Sequence, residues 1–247
     1  MRPDAAQKLK AAAPKQGPNP AIIGAVVAAV VIVGVVVAIL IANNSKSTTS
    51  AATQTVPVGV VGGTGGGILV APAAKDNVPT VDVYVDFQCP NCGEFEKAFG
   101  PALATMAKEG QMKYIVHTMS FLDTNLGNDS SKRAANASAC AADAGKFGEY
   151  QAAVFEGQPA QEGAGYTDAQ LTEFAKRAGI TDPVLTTWQK CTTSGQHNQY
   201  VADVADASGK AGVTGTPTIK LNGKVIEANP RTTTAEALVA TIKAAKS

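Results

Sequence analysis

Apolar and polar positions fall into three regimes along this chain. From Ala21 to Ala42 runs a segment of 22 residues without a charged side chain, rich in Val, Ile and Ala. Residues 43–66 are dominated by Asn, Ser, Thr, Ala and Gly. From Gly67 onward short apolar runs alternate with helical periodicities. Ile68-Leu69-Val70 suggests an edge strand ahead of a loop at Pro72 to Pro79. In Thr80 to Phe87 the residues Val81, Val83, Val85 and Phe87 share one face, which predicts a buried strand. Phe95, Phe99, Leu103 and Met106 then recur at spacings of four and three, the stripe of a helix opening near Cys89. Pro101 inside that stripe predicts a kink or a break. Met112 to Met119 is the next strand.

Between about residues 120 and 208 the pattern is helical. Ser130 to Ala144 is alanine-rich, and Thr167 to Gln170 reads as a capping box ahead of a helix closed by Gly179. Asp182-Pro183 predicts a cap followed by proline at the first helical position, with a helix through Trp188. A further helix is expected over Gln196 to Ala207. Thr218 to Leu221 and Lys224 to Glu227 flank Asn222-Gly223, a hairpin signal. Thr233 to Glu236 caps a final helix carrying Leu238, Val239 and Ile242. The elements predict an α/β domain over residues 67–247 with a helical insertion at about 120–208.

The first regime is long enough to cross a bilayer, since 22 helical residues span about 33 Å. A secretory signal has a shorter apolar core, about 7–15 residues, and a small-residue cleavage site, which Leu40-Ile41-Ala42 does not supply. The expectation is a single transmembrane anchor at 21–42. Residues 1–20 form a basic tail, where Arg2, Lys8, Lys10 and Lys15 face Asp4 alone. That asymmetry places the tail in the cytoplasm and the domain outside it. Residues 43–66, including the glycines from Gly62 onward, read as a flexible linker. The whole chain carries a formal charge of +1, which gives no signal for nucleic acid.

The chemistry concentrates in Cys89-Pro90-Asn91-Cys92, at the predicted strand-to-helix junction. A helix N-terminus offers unpaired N–H groups and a positive dipole end to a thiolate, so Cys89 is the candidate nucleophile. Pro90 suits the first helical turn, and Cys92, one turn in, is the candidate resolving thiol. Downstream, Thr216-Pro217 lies between glycine and a short strand, a setting for a cis-proline loop. Together these motifs resemble the DsbA-like thiol oxidoreductases of the thioredoxin superfamily, over roughly residues 66–247. The resemblance implies a thioredoxin-like fold with a helical insertion, here preceded by one transmembrane helix. It implies catalysis by Cys89 and Cys92 with no further cofactor, and substrate contact at Thr216 and Pro217. It also implies that reduced or misoxidised exported proteins are the substrates. A membrane reoxidase of the DsbB or vitamin K epoxide reductase type would be the electron acceptor.

Pro90-Asn91 replaces the Pro-His of the strongly oxidising members, which implies a milder oxidant. Val83 stands six residues before Cys89, where many relatives keep a buried carboxylate. Asp82 and Asp86 are predicted on the opposite face, and Glu94 and Glu96 are the helical substitutes. Threonine before the proline occurs in isomerases as well as oxidases, so a disulfide isomerase or reductase is an alternative to an oxidase. From another class, a non-catalytic copper chaperone would use Cys89 and Cys92 as soft ligands. Zinc would need two more ligands, and Cys140, Cys191, His117 and His197 form no second close pair, so no metal is expected. Cys140 and Cys191, both in the insertion, are expected to form a structural disulfide. His117 reads as a packed strand histidine and His197 as solvent-facing.

Overall fold

The computed structural model describes residues 55–71 and 77–245. The expected tail, anchor and first part of the linker, residues 1–54, lie outside the described residues, as do residues 72–76 of the expected loop. Among the described residues no helix is long and apolar enough to cross a membrane.

A five-stranded sheet forms the centre, in the order β1-β3-β2-β4-β5. Its strands are β1 (Ile68–Leu69), β2 (Thr80–Asp86), β3 (Lys113–Met119), β4 (Thr218–Leu221) and β5 (Lys224–Ile226). β2 and β3 run parallel, with Val83 opposite Val116, and the other pairs are antiparallel. Parallel neighbours need a crossover, which α1 (Pro90–Lys108) supplies. Its stripe of Phe95, Phe99, Leu103 and Met106 is buried. The helix runs through Pro101 without the predicted break. Burial of apolar residues on both sides of the proline holds it together, and Thr105 Oγ1 donates to the Pro101 carbonyl at 2.8 Å.

The insertion comprises α2 (Leu122–Leu126), α3 (Ser130–Asp143), α4 (Phe147–Glu156), α5 (Asp168–Arg177), α6 (Val184–Ser194) and α7 (Asn198–Lys210). Thr167 and Gln170 make the predicted capping box at α5, each side chain bonded to the other's backbone N–H. The α6 boundary differs from the prediction. Helix begins at Val184, with Pro183 at the N-cap position, and Asp182 accepts the Thr186 hydroxyl instead of capping the backbone. Asn222 and Gly223, at φ of 48° and 78°, turn β4 into β5. α8 (Ala235–Ala244) closes the chain, capped by Thr234, and packs on α1.

Two expectations about the N-terminal side are corrected. Residues 55–66 were expected to be linker, yet they are bonded to the insertion. Thr55 O lies 2.7 Å from His197 Nδ1, Val58 N donates to Asp143 Oδ1 at 2.9 Å, and Gly66 O accepts the buried Tyr200 hydroxyl. The glycines are required for this packing rather than for flexibility. A Cβ on Gly66 would overlap the Val61 carbonyl, and one on Gly67 would press on Ile115 and Val116 of β3. His197, expected at the surface, is fully buried, its Nε2 2.8 Å from Asp143 Oδ2.

α3 and α6 are joined by the disulfide Cys140–Cys191. Around it Trp188 Nε1 donates to Ala137 O and Asn136 Nδ2 to Thr192 O. The two sulfurs and a His197 nitrogen lie within 4.8 Å of one another, but the sulfurs are committed to each other. Closing a loop across 51 residues restricts the unfolded chain. The Cys140→Ala/Cys191→Ala variant is expected to lose about 2–4 kcal/mol of unfolding free energy. Urea denaturation checks this, and an unchanged midpoint would show that the hydrogen bonds between α3 and α6 suffice.

Candidate active site

The site is built where β2 ends. Asp86 is the last residue of the strand, and its carbonyl accepts the Cys89 N–H at 3.0 Å. Its carboxylate accepts Gln88 N–H at 2.9 Å, the Ser131 hydroxyl at 2.5 Å and Leu122 N–H at 3.3 Å. Phe87 O accepts the Tyr166 hydroxyl at 2.6 Å and Gln158 Nε2 at 2.8 Å, and Gln158 Nε2 also donates to Cys89 O. Gln88 reaches Asp123, Asn128 and Ser131. The side chains of Asp86 and Gln88 and the carbonyls of Phe87 and Cys89 are thus held by the helical insertion.

Cys89 occupies the N-cap of α1 in an extended conformation and Pro90 takes the first helical position. This geometry follows from the sequence, since proline needs no partner for its absent N–H there. Pro90 and Asn91 are exposed, Cys89 is 7% exposed and Cys92 is fully buried. Both thiols are free. The Thr216–Pro217 peptide bond is cis and brings the Thr216 carbonyl to 3.4 Å from Cys89 Sγ. The Thr216 hydroxyl oxygen is buried and makes no well-formed hydrogen bond. Beside it a depression of about 440 Å³ lies between Asn91, Pro217, Ile226 and Arg231.

The environment separates the two thiols. A hydrogen bond from Cys92 lowers the Cys89 pKa to about 6, assisted by the Thr216 side chain and the N–H groups of Cys92 and Asn91, against the opposing effect of burial. Burial, followed by the interaction with Cys89, pushes Cys92 well above the usual thiol range. One sulfur is therefore an anion at neutral pH and the other keeps its proton. Cys89 thus offers the more exposed and more readily ionised sulfur, and Cys92 lies fully buried beside it.

The carboxylates fall in different places. Asp82 pairs with His117, 2.9 Å away, on a sheet position where His117 stacks on Tyr84. Glu94 is exposed and lies 3.6 Å from Arg231. Glu96 bonds to Gln151. Asp86 ends the strand three residues before Cys89 and is fully buried, its pKa raised to about 6 chiefly by desolvation. Strand parity does put it opposite Val83. That face is nevertheless closed over by α2 and α3 at the strand's end, which the alternation of residues cannot reveal. Gln158, Tyr166 and Ser131, which complete the site, carry no local sequence signal.

This fold and dithiol define a thiol–disulfide oxidoreductase domain of the DsbA type. The family model described as Thioredoxin matches residues 71–244, and the chain belongs to that family. Oxidised DsbA from Mycobacterium tuberculosis is 31% identical, with 74% of this chain and 89% of that chain covered and a TM-score of 0.57. BdbD from Bacillus subtilis is 25% identical, covering 76% and 97% with a TM-score of 0.59. The serine/threonine-protein kinase PknE of M. tuberculosis is 29% identical over 139 residues, 53% of this chain. The match takes in only 23% of the kinase's own length.

Thiolate ultraviolet absorbance of the reduced protein is expected to titrate near pH 6, with the signal lost in Cys89→Ser. Cys92→Ala should raise that midpoint more than Thr216→Val does, because the Cys92 contact is the larger. A midpoint near the free-thiol value would overturn the assignment of Cys89. Asp86 generates a separate effect. Its folded pKa is raised, so its contribution to stability is full below about pH 4 and is lost as the pH rises through about 6. This amounts to on the order of 3 kcal/mol, and Asp86→Asn should flatten the slope of unfolding free energy against pH.

Proposed function

We propose that this chain is a membrane-anchored oxidase that introduces disulfides into exported proteins through Cys89 and Cys92. The observation that carries the reading is the asymmetry of the pair. A stabilised Cys89 thiolate favours the reduced state, which makes the disulfide form an electron acceptor. Relative to an ordinary thiol, that stabilisation at pH 7 is roughly 1.4 kcal/mol, equivalent to about 30 mV in a two-electron couple.

The reaction starts from the Cys89–Cys92 disulfide. A substrate thiolate attacks Cys89 Sγ, the more exposed sulfur, and forms a mixed disulfide. The S–S bond to Cys92 breaks, and Cys92 takes up a proton. A second substrate thiolate then attacks the substrate sulfur of the mixed disulfide. It forms the product disulfide and expels Cys89 as a thiolate, a good leaving group because of its low pKa. Two electrons have passed to the enzyme. The depression beside Pro217 and the backbone at Thr216 suit an extended chain laid across the dithiol.

The remainder of the reading rests on the sequence. The apolar run 21–42 and its basic flank support a single-pass anchor with the N-terminus cytoplasmic and the catalytic domain extracytoplasmic. The turnover needs a membrane electron acceptor, by resemblance a DsbB or vitamin K epoxide reductase type partner. No cofactor beyond the cysteine pair is invoked.

Equilibration of the Cys89/Cys92 pair against glutathione buffers is expected to give a potential of about −120 to −180 mV. The oxidised protein should also restore activity to a reduced, unfolded disulfide protein. A potential near −270 mV would make the chain a reductase. Activity confined to scrambled substrates would make it an isomerase. Stoichiometric copper lost on Cys89→Ser would make it a metal carrier.

A further inference from the structure

Between α1 and α4 lies a cavity of about 690 Å³ that reaches Pro90 and Gly93 at the active site. Val70, Pro101, Ala104 and Phe155 give it apolar walls. Glu96, Gln151 and Tyr114 also line it, and their polar atoms are incompletely used. Glu96 Oε2 accepts Gln151 Nε2 at 3.0 Å. Gln151 Oε1 and Tyr114 Oη are buried without a well-formed hydrogen bond, although Gln151 lies near enough to Tyr114 to offset part of the rise that burial gives its pKa, and both residues are only 2% exposed. Gly100 leaves the Glu96 carboxylate room to lie over the bare helix, since a Cβ there would collide with it. Desolvation raises the Glu96 pKa, and among the described residues no cation is paired with its carboxylate.

Unpaired polar atoms inside a protein are costly, and a cluster of them aimed into one cavity points to a ligand that satisfies them. The free positions are a carboxylate oxygen, an amide oxygen and a phenolic oxygen. An ammonium group presents three N–H donors and one positive charge, which matches this inventory. An anion would be repelled by Glu96, whereas Glu94 and Glu156 at the cavity are paired with Arg231 and Arg177. The apolar walls suit an aliphatic stem. Because the cavity adjoins Pro90, its occupant can belong to the same polypeptide that reacts at Cys89. We propose that the cavity is a lysine-binding subsite, taking the side chain of a lysine in the substrate polypeptide. The polypeptide as occupant rests on the oxidase reading above.

The test uses the full chain in detergent and two probes. n-Butylammonium, with n-butanol as the uncharged control, is titrated by calorimetry, which needs no redox activity. Oxidised protein is then reacted with cysteine peptides carrying lysine or norleucine at a series of spacings from the cysteine. At the best spacing the lysine peptide is expected to react about tenfold faster, the worth of one charge-assisted hydrogen bond. Glu96→Gln should abolish that ratio while the norleucine rate stays. Tyr114→Phe should lower the ratio and yet raise resistance to urea, because it deletes an unpaired buried hydroxyl. Equal rates, or a ratio that survives Glu96→Gln, overturn the proposal. Butylammonium binding without a peptide preference also overturns it, assigning the cavity to free alkylamines. Glu96-dependent butylammonium binding in a protein that oxidises neither peptide would support the ammonium site and sink the oxidase reading instead.

Discussion

Everything at the site depends on how the end of β2 is held. Asp86 is a carboxylate closed off from solvent, and it spends its oxygens on two backbone N–H groups and a serine hydroxyl. A buried charge is tolerated only where such donors meet it. Here the donors come from the turn itself, from α2 and from α3. The helical insertion is therefore not a bystander to the thioredoxin-like sheet. Its residues fix the loop whose last member is Cys89, while Gln158 and Tyr166 do the same for the carbonyls of Phe87 and Cys89. Loosening of the insertion would reach Cys89 through this network without any contact to the sulfur.

The elements that were legible in the chain are those with a local cause. Period-two burial marked β2, a stripe at spacings of three and four marked α1, and a two-residue turn marked the β4–β5 hairpin. The position of Cys89 at a helix start followed from Pro90 and the strand before it. What stayed hidden is long-range. Nothing near Gln158 or Tyr166 in sequence announces that they bond to residue 87, some seventy to eighty positions earlier. The glycines at 66 and 67 look the same whether a chain needs freedom or close approach, and only the neighbouring β3 decides it. His197 was misplaced for the same reason, since its partners Thr55 and Asp143 are remote in the chain.

The N-terminal segment gains a role from that correction. Thr55 to Val58 is tied to α3 and to the turn before α7, beside the disulfide that joins α3 to α6. Several independent devices converge there: a disulfide, a buried histidine between two oxygen partners, and the Asn136 side chain bonded to the backbone of Thr192 and His197. The chain thus enters the domain at one of its most heavily cross-linked regions. Tension transmitted from residues upstream would meet this clamp before it met the sheet.

Cys89 is 7% exposed and sits in a notch between an exposed proline and a cis-proline loop. A sulfur so recessed can be reached by a single thin strand but not by a thiol on a rigid, convex surface. On the oxidase reading, selectivity then depends on the state of the client, to which the proposed lysine subsite adds a preference of sequence. A chain still unfolded can thread its cysteine into the notch, whereas one that has folded around its new bond no longer presents a strand thin enough to return. On that reading the narrow entrance gives the chemistry a direction in time, set by the folding of the product.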